Sequence, residues 1–223
     1  LPSDKGKGLE IMGTFARRNG EIFMEMTCVN RSLQAMNGFA IQLNKNSFAL
    51  APKSALNVSA IQPGQSVDSS LPLGTHGTVQ KMDPINLLQV AVKNNLDVFY
   101  FACLVSINVL FAEDGQMEKR MFLNMWKDIP SANEEKYTFN NVQSSTDAIS
   151  QKMTQNNIFT IAKRNVEGQD MLYQSLKFTN DIWVLLELKL QPVVGSHAVL
   201  SMKSRSLEVT KPIAMIYEAI INS

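Results

Sequence analysis

Apolar and polar residues alternate along the first half of the chain, and this alternation predicts short β-strands. Two strand-like runs flank the dipeptide Asn19–Gly20, which is the strongest short-range signal for a β-hairpin. In the second of these runs, four apolar side chains fall on one face: Ile22, Met24, Met26 and Cys28. Further runs of this kind are "GFAIQLNKNSFAL", "NLLQVAVKNN" and "DVFYFACL". Short strands at this spacing favour an antiparallel β-sandwich.

Near residue 115 the pattern changes, and helical spacing appears beside the strands. The run "MEKRMFLNMWKDI" ends before Pro130 and spaces four apolar residues as a helix would: Met121, Phe122, Met125 and Ile129. Helices are also predicted for "SSTDAISQKMTQNN", which opens on a Ser/Thr cap, and for the tail "SLEVTKPIAMIYEAIINS". Strands are predicted for "KYTFN", "IFTIAKRN", "MLYQSLKF", "DIWVLLELKLQP" and "HAVLSMKS". The predicted fold class is therefore α+β, with the sandwich over residues 1–115 and an antiparallel sheet with helices over 116–223.

The predicted strands of the second half place aromatic and charged side chains on one sheet face. By the period of two, Tyr173 points away from the leucines of its strand, and Glu187 shares a face with Trp183. Arg164 is predicted to share a face with Thr160. A solvated or helix-covered sheet face would explain this pattern. A peptide-binding groove would explain it as well, because Tyr, Trp and Arg are enriched at interface hot spots.

Two further aromatic residues have the same two interpretations. Trp126 lies at the end of its predicted helix, beside Lys127, and it either packs in the core or is presented to a ligand. Tyr100 points away from the two phenylalanines of its strand and lies near Lys93. It is either a half-buried strand tyrosine or an anchor for a ligand.

Composition excludes two classes of partner. The chain has 223 residues, of which 45% are hydrophobic and 18% charged, as in ordinary globular proteins. A net charge of +1 gives no bulk electrostatic reason to bind nucleic acid or an anionic membrane. No apolar stretch reaches the roughly 18 residues that a membrane-spanning helix needs.

Motifs for catalysis or for cofactor binding are missing from the sequence. His76 and His197 lie far apart in the chain, and neither has a neighbouring cysteine that could complete a zinc site. The chain contains no G-x-S-x-G, no P-loop and no H-E-x-x-H motif. We therefore expect no enzyme activity, no metal and no cofactor, and a hydrolase is disfavoured because no nucleophile has an oriented base.

Cys28 and Cys103 are the only cysteines, and they leave a second alternative open. A disulfide between them would suit a secreted immunoglobulin-like adhesion domain. Glycosylation sequons at Asn30 and Asn57 would be occupied in that case. Two reduced thiols in the cytosol explain the same residues and are favoured, because unpaired cysteines are commonly buried in cores.

Five segments together resemble a known family: "NGFAIQLNKNSF", "LLQVAVKNNLDVFYFACL", "NVLFAEDGQMEKRMFLNMWKDIP", "IAKRNVEGQDMLYQSLK" and "DIWVLLELKLQP". They are similar to the C-terminal appendage, or ear, of a β-adaptin, a large subunit of the heterotetrameric clathrin adaptor complexes. The similarity extends over essentially the whole chain, from about Gly8 to Asn222. It implies an immunoglobulin-like sandwich followed by a platform subdomain, in which helices flank an antiparallel sheet.

The resemblance also implies a function without catalysis. Appendages of this family recruit clathrin and endocytic accessory or cargo-adaptor proteins through short acidic, Phe-containing peptide motifs. The other adaptor subunits are bound through a part of the β chain that precedes the appendage. The implied location is cytoplasmic, on clathrin-coated pits and vesicles of the plasma membrane or the trans-Golgi network, with only indirect membrane association.

The family's peptide-binding positions match individual residues of this chain. The platform site of the family corresponds to Trp126, Lys127, Glu134, Arg164, Tyr173 and Glu187. The sandwich-side site corresponds to Tyr100, with Lys93 nearby. In the family the platform groove takes amphipathic helical peptides that have an acidic start, spaced Phe or Leu residues and a later Arg.

Overall fold

A computed structural model describes residues 1–191, 195 and 197–223 of the chain. The described residues form two compact units, Leu1–Val109 and Leu110–Ser223. The sequence placed the corresponding division near residue 115. Pro192, at the end of the predicted strand "DIWVLLELKLQP", lies outside the described residues.

Two antiparallel sheets form the N-terminal unit, as the strand pattern predicted. Their strands are β1 (Leu9–Arg18), β2 (Glu21–Asn30), β3 (Ala40–Leu43), β4 (Ala51–Pro52), β5 (Ser66–Gly74), β6 (Leu87–Lys93) and β7 (Val98–Leu104). The first sheet has the order β1-β2-β5-β4 and the second β3-β6-β7. Both sheets contribute fully buried apolar residues, among them Leu71 and Leu88, which is the layered core of a β-sandwich.

The predicted hairpin at Asn19–Gly20 is confirmed. Arg18 lies opposite Glu21, so two residues connect β1 to β2. Both connecting residues have positive φ, 51° for Asn19 and 78° for Gly20, as a type I′ turn requires. This register buries the predicted face of β2, whose members are Ile22, Met24, Met26 and Cys28.

In the described part of the C-terminal unit, one five-stranded antiparallel sheet is combined with three α-helices. The elements are α1 (Lys119–Asp128), β8 (Glu134–Phe139), α2 (Thr146–Thr154), β9 (Phe159–Val166), β10 (Gln169–Lys177), β11 (Trp183–Leu190), β12 (Ala198–Ser204) and α3 (Thr210–Asn222). The strand order is β8-β12-β11-β10-β9. Helix α2 begins where the Ser/Thr cluster predicted, because the Ser145 hydroxyl accepts a hydrogen bond from the backbone N–H of Ala148.

The two faces of this sheet carry different helices. On one face, the hydroxyl of Tyr217 in α3 donates a hydrogen bond to the Gln174 side chain of β10, and Ile149 of α2 is fully buried. On the other face, Phe122 of α1 packs in a buried cluster with Leu185 of β11. Helix α1 therefore covers part of the face that carries the aromatic and charged residues.

The predicted orientation of Thr160 is wrong, because strand β9 contains a bulge. Its register against β10 shifts between Tyr173 and Gln174, so Thr160 lies opposite Gln174. The Thr160 hydroxyl accepts a hydrogen bond from the Gln174 amide at 3.3 Å and hydrogen-bonds Ser150 of α2 at 2.8 Å. A bulge adds one residue to a strand and reverses the faces on its far side. Arg164 lies on the Tyr173 side of the bulge, where the register is regular, and is opposite Met171. It therefore shares a sheet face with Tyr173, as predicted.

In the described part of the chain, none of the helices combines the length and the apolar character that a membrane-spanning segment requires.

A hydrogen-bonded carboxylate at the start of α3 predicts a pH dependence of stability. Tyr137 and Thr210 donate hydrogen bonds to Glu135, and these bonds lower the pKa of Glu135 below its ordinary 4.5. This contribution to stability is therefore present above pH 4.5 and is lost as the pH falls through the lowered pKa. In acid unfolding followed by circular dichroism, we expect Glu135→Gln to be less stable than wild type at neutral pH, with a smaller difference at acidic pH. Glu218→Gln, at an exposed position of α3, is the control and should show neither effect.

Candidate functional site

Helix α1 is fixed to the sheet by a narrow apolar stripe. Phe122 and Ile129 are buried in one cluster with Met117 and Leu185. Met121 was predicted to belong to this stripe, but 47% of it is exposed. A turn of 100° per residue carries Met121 from the centre of the stripe to the flank of the helix.

Phe122 supports two aromatic side chains that come from different elements. The ring of Trp126 stacks on Phe122 with 5.6 Å between ring centroids and an angle of 21° between the planes. The ring of Tyr173, from β10, meets Phe122 edge-on at 6.1 Å and 79°. Both Trp126 and Tyr173 are half-buried. The structure thus brings these two predicted site residues to one aromatic cluster, where each keeps part of its surface in solvent.

Charged groups surround Tyr173. Glu187 lies directly opposite it on β11 and pairs with Lys189 at 3.0 Å. The Arg164 guanidinium carbon lies 5.9 Å from the centroid of the Tyr173 ring, within the range of a cation–π contact. Burial, followed by the Glu187 carboxylate, raises the pKa of the Tyr173 hydroxyl, and Arg164 opposes this effect. The hydroxyl therefore stays protonated at neutral pH and remains able to donate a hydrogen bond.

Glu134 is linked to Trp126 through a residue that the sequence did not single out. The Lys203 ammonium lies 3.8 Å from a carboxylate oxygen of Glu134 and 5.3 Å from the centroid of the Trp126 ring. Lys136 is a second cationic neighbour of Glu134, at 3.6 Å. Lys127 follows Trp126 on α1 and is exposed. The six predicted platform residues thus come from helix α1 and from strands β8, β9, β10 and β11 of one sheet.

Leu123 is another residue of this surface that sequence reasoning missed. It is 46% exposed and lies three residues before Trp126 and four before Lys127, so the three side chains are neighbours on one flank of α1. Its helical spacing from Trp126 was the signal that could have identified it.

In the N-terminal unit, Tyr100 and Lys93 occupy the same outer sheet face. Tyr100 lies opposite Ala91, two residues from Lys93 on β6, so the two side chains are diagonal neighbours. Tyr100 is 77% exposed. It also lines a cavity of about 510 Å³. Leu104 lines the same cavity and is exposed on the same strand.

The two histidines considered as catalytic or zinc-binding candidates do not belong to a metal site in the described part of the chain. His76 and His197 are both exposed. Within the described part of the chain, no group of three or more His, Cys, Asp or Glu side chains is arranged to hold a metal ion.

The disulfide of the secreted alternative is not formed. Cys28 is buried and Cys103 half-buried, and both thiols are free. Burial raises the pKa of Cys28 to about 11 and also raises the pKa of Cys103, so both stay in the unreactive thiol form at neutral pH. The alternative of a disulfide-bonded adhesion domain is therefore not favoured.

Comparison with known protein families matches both parts of the chain. The family model described as "Beta2-adaptin appendage, C-terminal sub-domain" matches residues 112–221. The model described as "Adaptin C-terminal domain" matches residues 1–102.

Curated relatives agree with this assignment. The chain is 53% identical over 226 residues to "AP-1 complex subunit beta-1" of Homo sapiens and 54% identical over 224 residues to the protein of that name from Rattus norvegicus. It is 30% identical over 189 residues to "AP-1 complex subunit beta" of Dictyostelium discoideum, a match that covers 83% of this chain and 20% of the relative. The two mammalian matches cover all of this chain but only 24% of each relative's length, in the C-terminal part. The chain therefore belongs to the β-adaptin family and corresponds to the family's C-terminal appendage.

Proposed function

We propose that this appendage is a non-catalytic binding module that recruits other proteins by capturing short peptide segments. The observation that carries the proposal is the aromatic cluster of Trp126, Phe122 and Tyr173. Trp126 and Tyr173 are half-buried and pack on the buried Phe122 ring, with charged groups beside them. Interaction hot spots commonly have this composition.

The arrangement of charges suggests the chemistry of the peptide. An amphipathic helix could place Phe or Leu side chains against Trp126 and Tyr173. Lys127 and Arg164 would then face acidic residues near the start of the peptide, and Glu134 and Glu187 would suit a later arginine. We name this surface the platform groove, defined by Trp126, Lys127, Glu134, Arg164, Tyr173 and Glu187.

A second peptide site is proposed on the N-terminal unit, at Tyr100 and Lys93. Its support is the unusual exposure of Tyr100, 77%, on a sheet face that also exposes Val98 and Leu104. Exposed apolar patches of this kind are common at protein–protein contacts.

In the cell, the proposed partners are clathrin and the accessory or cargo-adaptor proteins of clathrin-coated pits and vesicles. The names of the relatives, subunits of AP-1 complexes, support membership of an adaptor complex. We propose that the longer β chain binds the other adaptor subunits outside the appendage. The appendage would then act in the cytoplasm at coated membranes of the plasma membrane or the trans-Golgi network. Each peptide should bind with a Kd on the order of 1 μM, near −8 kcal/mol, and clustering of sites would supply avidity.

Replacement of Tyr173 tests the platform groove. The probe is a synthetic amphipathic peptide with an acidic start, Phe and Leu at helical spacing and one later Arg. Tyr173→Ala should weaken binding of this peptide by about tenfold or more, about 1.4 kcal/mol, because one aromatic anchor is lost. Binding is measured by isothermal titration calorimetry.

Met215→Ala is the matched control, since it removes an exposed apolar side chain (65% exposed) from α3, which packs on the other face of the same sheet. It should leave the affinity for this peptide unchanged. Wild-type affinity in the Tyr173→Ala variant would reject the platform groove as the binding site.

A further inference from the structure

Lys203 is a buried ammonium group for which the proposed peptide contacts provide no role. Only 7% of the residue is exposed. It lies on β12 opposite Leu185, and therefore on the sheet face that α1 covers. Lysine is rarely buried to this degree unless its charge is satisfied by specific partners.

Its partners are the last carbonyl groups of α1. The Lys203 ammonium donates hydrogen bonds to the carbonyl oxygen of Trp126 at 3.0 Å and to that of Ile129 at 3.2 Å. Carbonyls in the last turn of a helix lack partners within the helix and carry partial negative charge. Helix α1 cannot continue past Ile129, because Pro130 follows. Lys203, a residue of the sheet, therefore caps the C-terminal end of α1 by hydrogen-bonding its free carbonyl groups.

The same ammonium lies beside two residues of the platform groove. It is 5.3 Å from the centroid of the Trp126 ring and 3.8 Å from a carboxylate oxygen of Glu134. The Trp126 indole therefore contacts both the Phe122 ring of its own helix and the Lys203 charge from β12.

We propose that Lys203 is a positioning residue of the platform groove. It fastens the final turn of α1 to β12 and thereby fixes the direction of the Trp126 side chain and the place of the Glu134 carboxylate. Being buried, it acts on a peptide through these two residues. This inference rests on the proposed function, but the position of Trp126 can be measured without any peptide.

The first experiment reads the surroundings of Trp126 directly. The chain has two tryptophans, so the variant Trp183→Phe leaves Trp126 as the single reporter. In that background, Lys203→Met should shift the emission of Trp126 to longer wavelength and increase its quenching by acrylamide. Methionine keeps much of the side-chain volume but removes the charge and both hydrogen bonds. Unchanged emission and unchanged quenching would overturn the proposal, whatever the peptide does.

The second experiment measures affinity for the same amphipathic probe peptide. Lys203→Met should weaken binding by at least about tenfold, and Lys203→Arg, which keeps the charge and the donors, should retain more affinity than Lys203→Met. The matched control is Lys136→Met, which removes the other ammonium near Glu134 from an exposed position and should change affinity less than about twofold.

An equal loss in Lys136→Met and Lys203→Met would overturn the positioning role, because the effect would then be one of net charge. Wild-type affinity in a folded Lys203→Met variant would overturn it as well.

Circular dichroism checks the fold of each variant. If Lys203→Met does not fold, Lys203→Gln takes its place under the same criteria, since it keeps one donor without the charge. Failure of the peptide to bind wild-type protein would reject the proposed function, whereas the tryptophan experiment would still decide the role of Lys203.

Discussion

Replacing Phe122 with alanine is expected to lower the free energy of unfolding of the C-terminal unit by about 3–5 kcal/mol. Phe122 is 2% exposed, and its ring contacts the rings of both Trp126 and Tyr173. Its loss opens a cavity in the cluster that joins α1 to the sheet, and the cost of such a cavity adds to the lost burial of the ring.

Tryptophan fluorescence during urea denaturation is the appropriate measurement, because Trp126 and Trp183 both belong to the C-terminal unit. A chain of two units need not unfold in one step, so a signal from one unit is easier to interpret than global circular dichroism. Leu123→Ala is the control on the same helix. Leu123 is 46% exposed, and its replacement should change stability by less than about 0.5 kcal/mol. Equal effects of the two substitutions would contradict the supporting role of Phe122.

Replacing Trp126 with alanine is expected to weaken binding of the amphipathic probe peptide by about 2–4 kcal/mol, the range of a hot-spot residue. Trp126 presents a large rigid surface, and its ring is held by Phe122 and by the Lys203 charge. Because Trp126 is half-buried, stability should fall by less than in Phe122→Ala. Titration calorimetry gives the affinity, and fluorescence cannot be used alone because the variant loses one of its two reporters.

Trp183→Ala is the control for Trp126→Ala. Trp183 is also a half-buried tryptophan at the edge of the same cluster, but it lies outside the platform groove, opposite Lys177. It should leave the Kd within about twofold of wild type, as expected for residues outside a hot spot. If Trp183→Ala weakened peptide binding as much as Trp126→Ala, the loss of affinity would reflect a less stable aromatic cluster. It would then give no support to Trp126 as an anchor for the peptide.

The sequence patterns correctly predicted those structural features that depend on residues close together in the chain. The Asn19–Gly20 turn fixed the β1–β2 register, because both residues tolerate positive φ. Pro130 and the spacing of Phe122 and Ile129 predicted helix α1 and its end. Period-two alternation placed Tyr173 and Glu187 on the same face of the sheet, and the structure shows them directly opposite each other.

Features with distant causes could not be predicted in this way. The bulge in β9 turns Thr160 toward partners on other elements, Ser150 and Gln174, and alternation gives no sign of it. Lys203 reads as an ordinary polar residue of a strand, and its burial depends on the end of α1, far away in the sequence. The half-exposure of Trp126 likewise follows from packing between elements.

The resemblance to the β-adaptin appendage contributed what periodicity could not, namely which residues form one site. Trp126 and Tyr173 meet at Phe122, and Arg164 and Glu187 flank Tyr173. Their binding roles stay predictions until the substitutions are measured.

Most of the platform groove is built on strands and a helix, with Tyr173 on β10, Glu187 on β11 and Trp126 on α1. The backbone of such a surface is expected to move little when a peptide binds, so the protein would lose little conformational entropy. A disordered peptide that becomes helical in the groove would bear nearly all of the entropy loss, which keeps single contacts weak and their dissociation fast. Under the proposed function, partners on one appendage would then exchange quickly, and an assembly held by many such contacts would be durable as a whole while each of its members turns over.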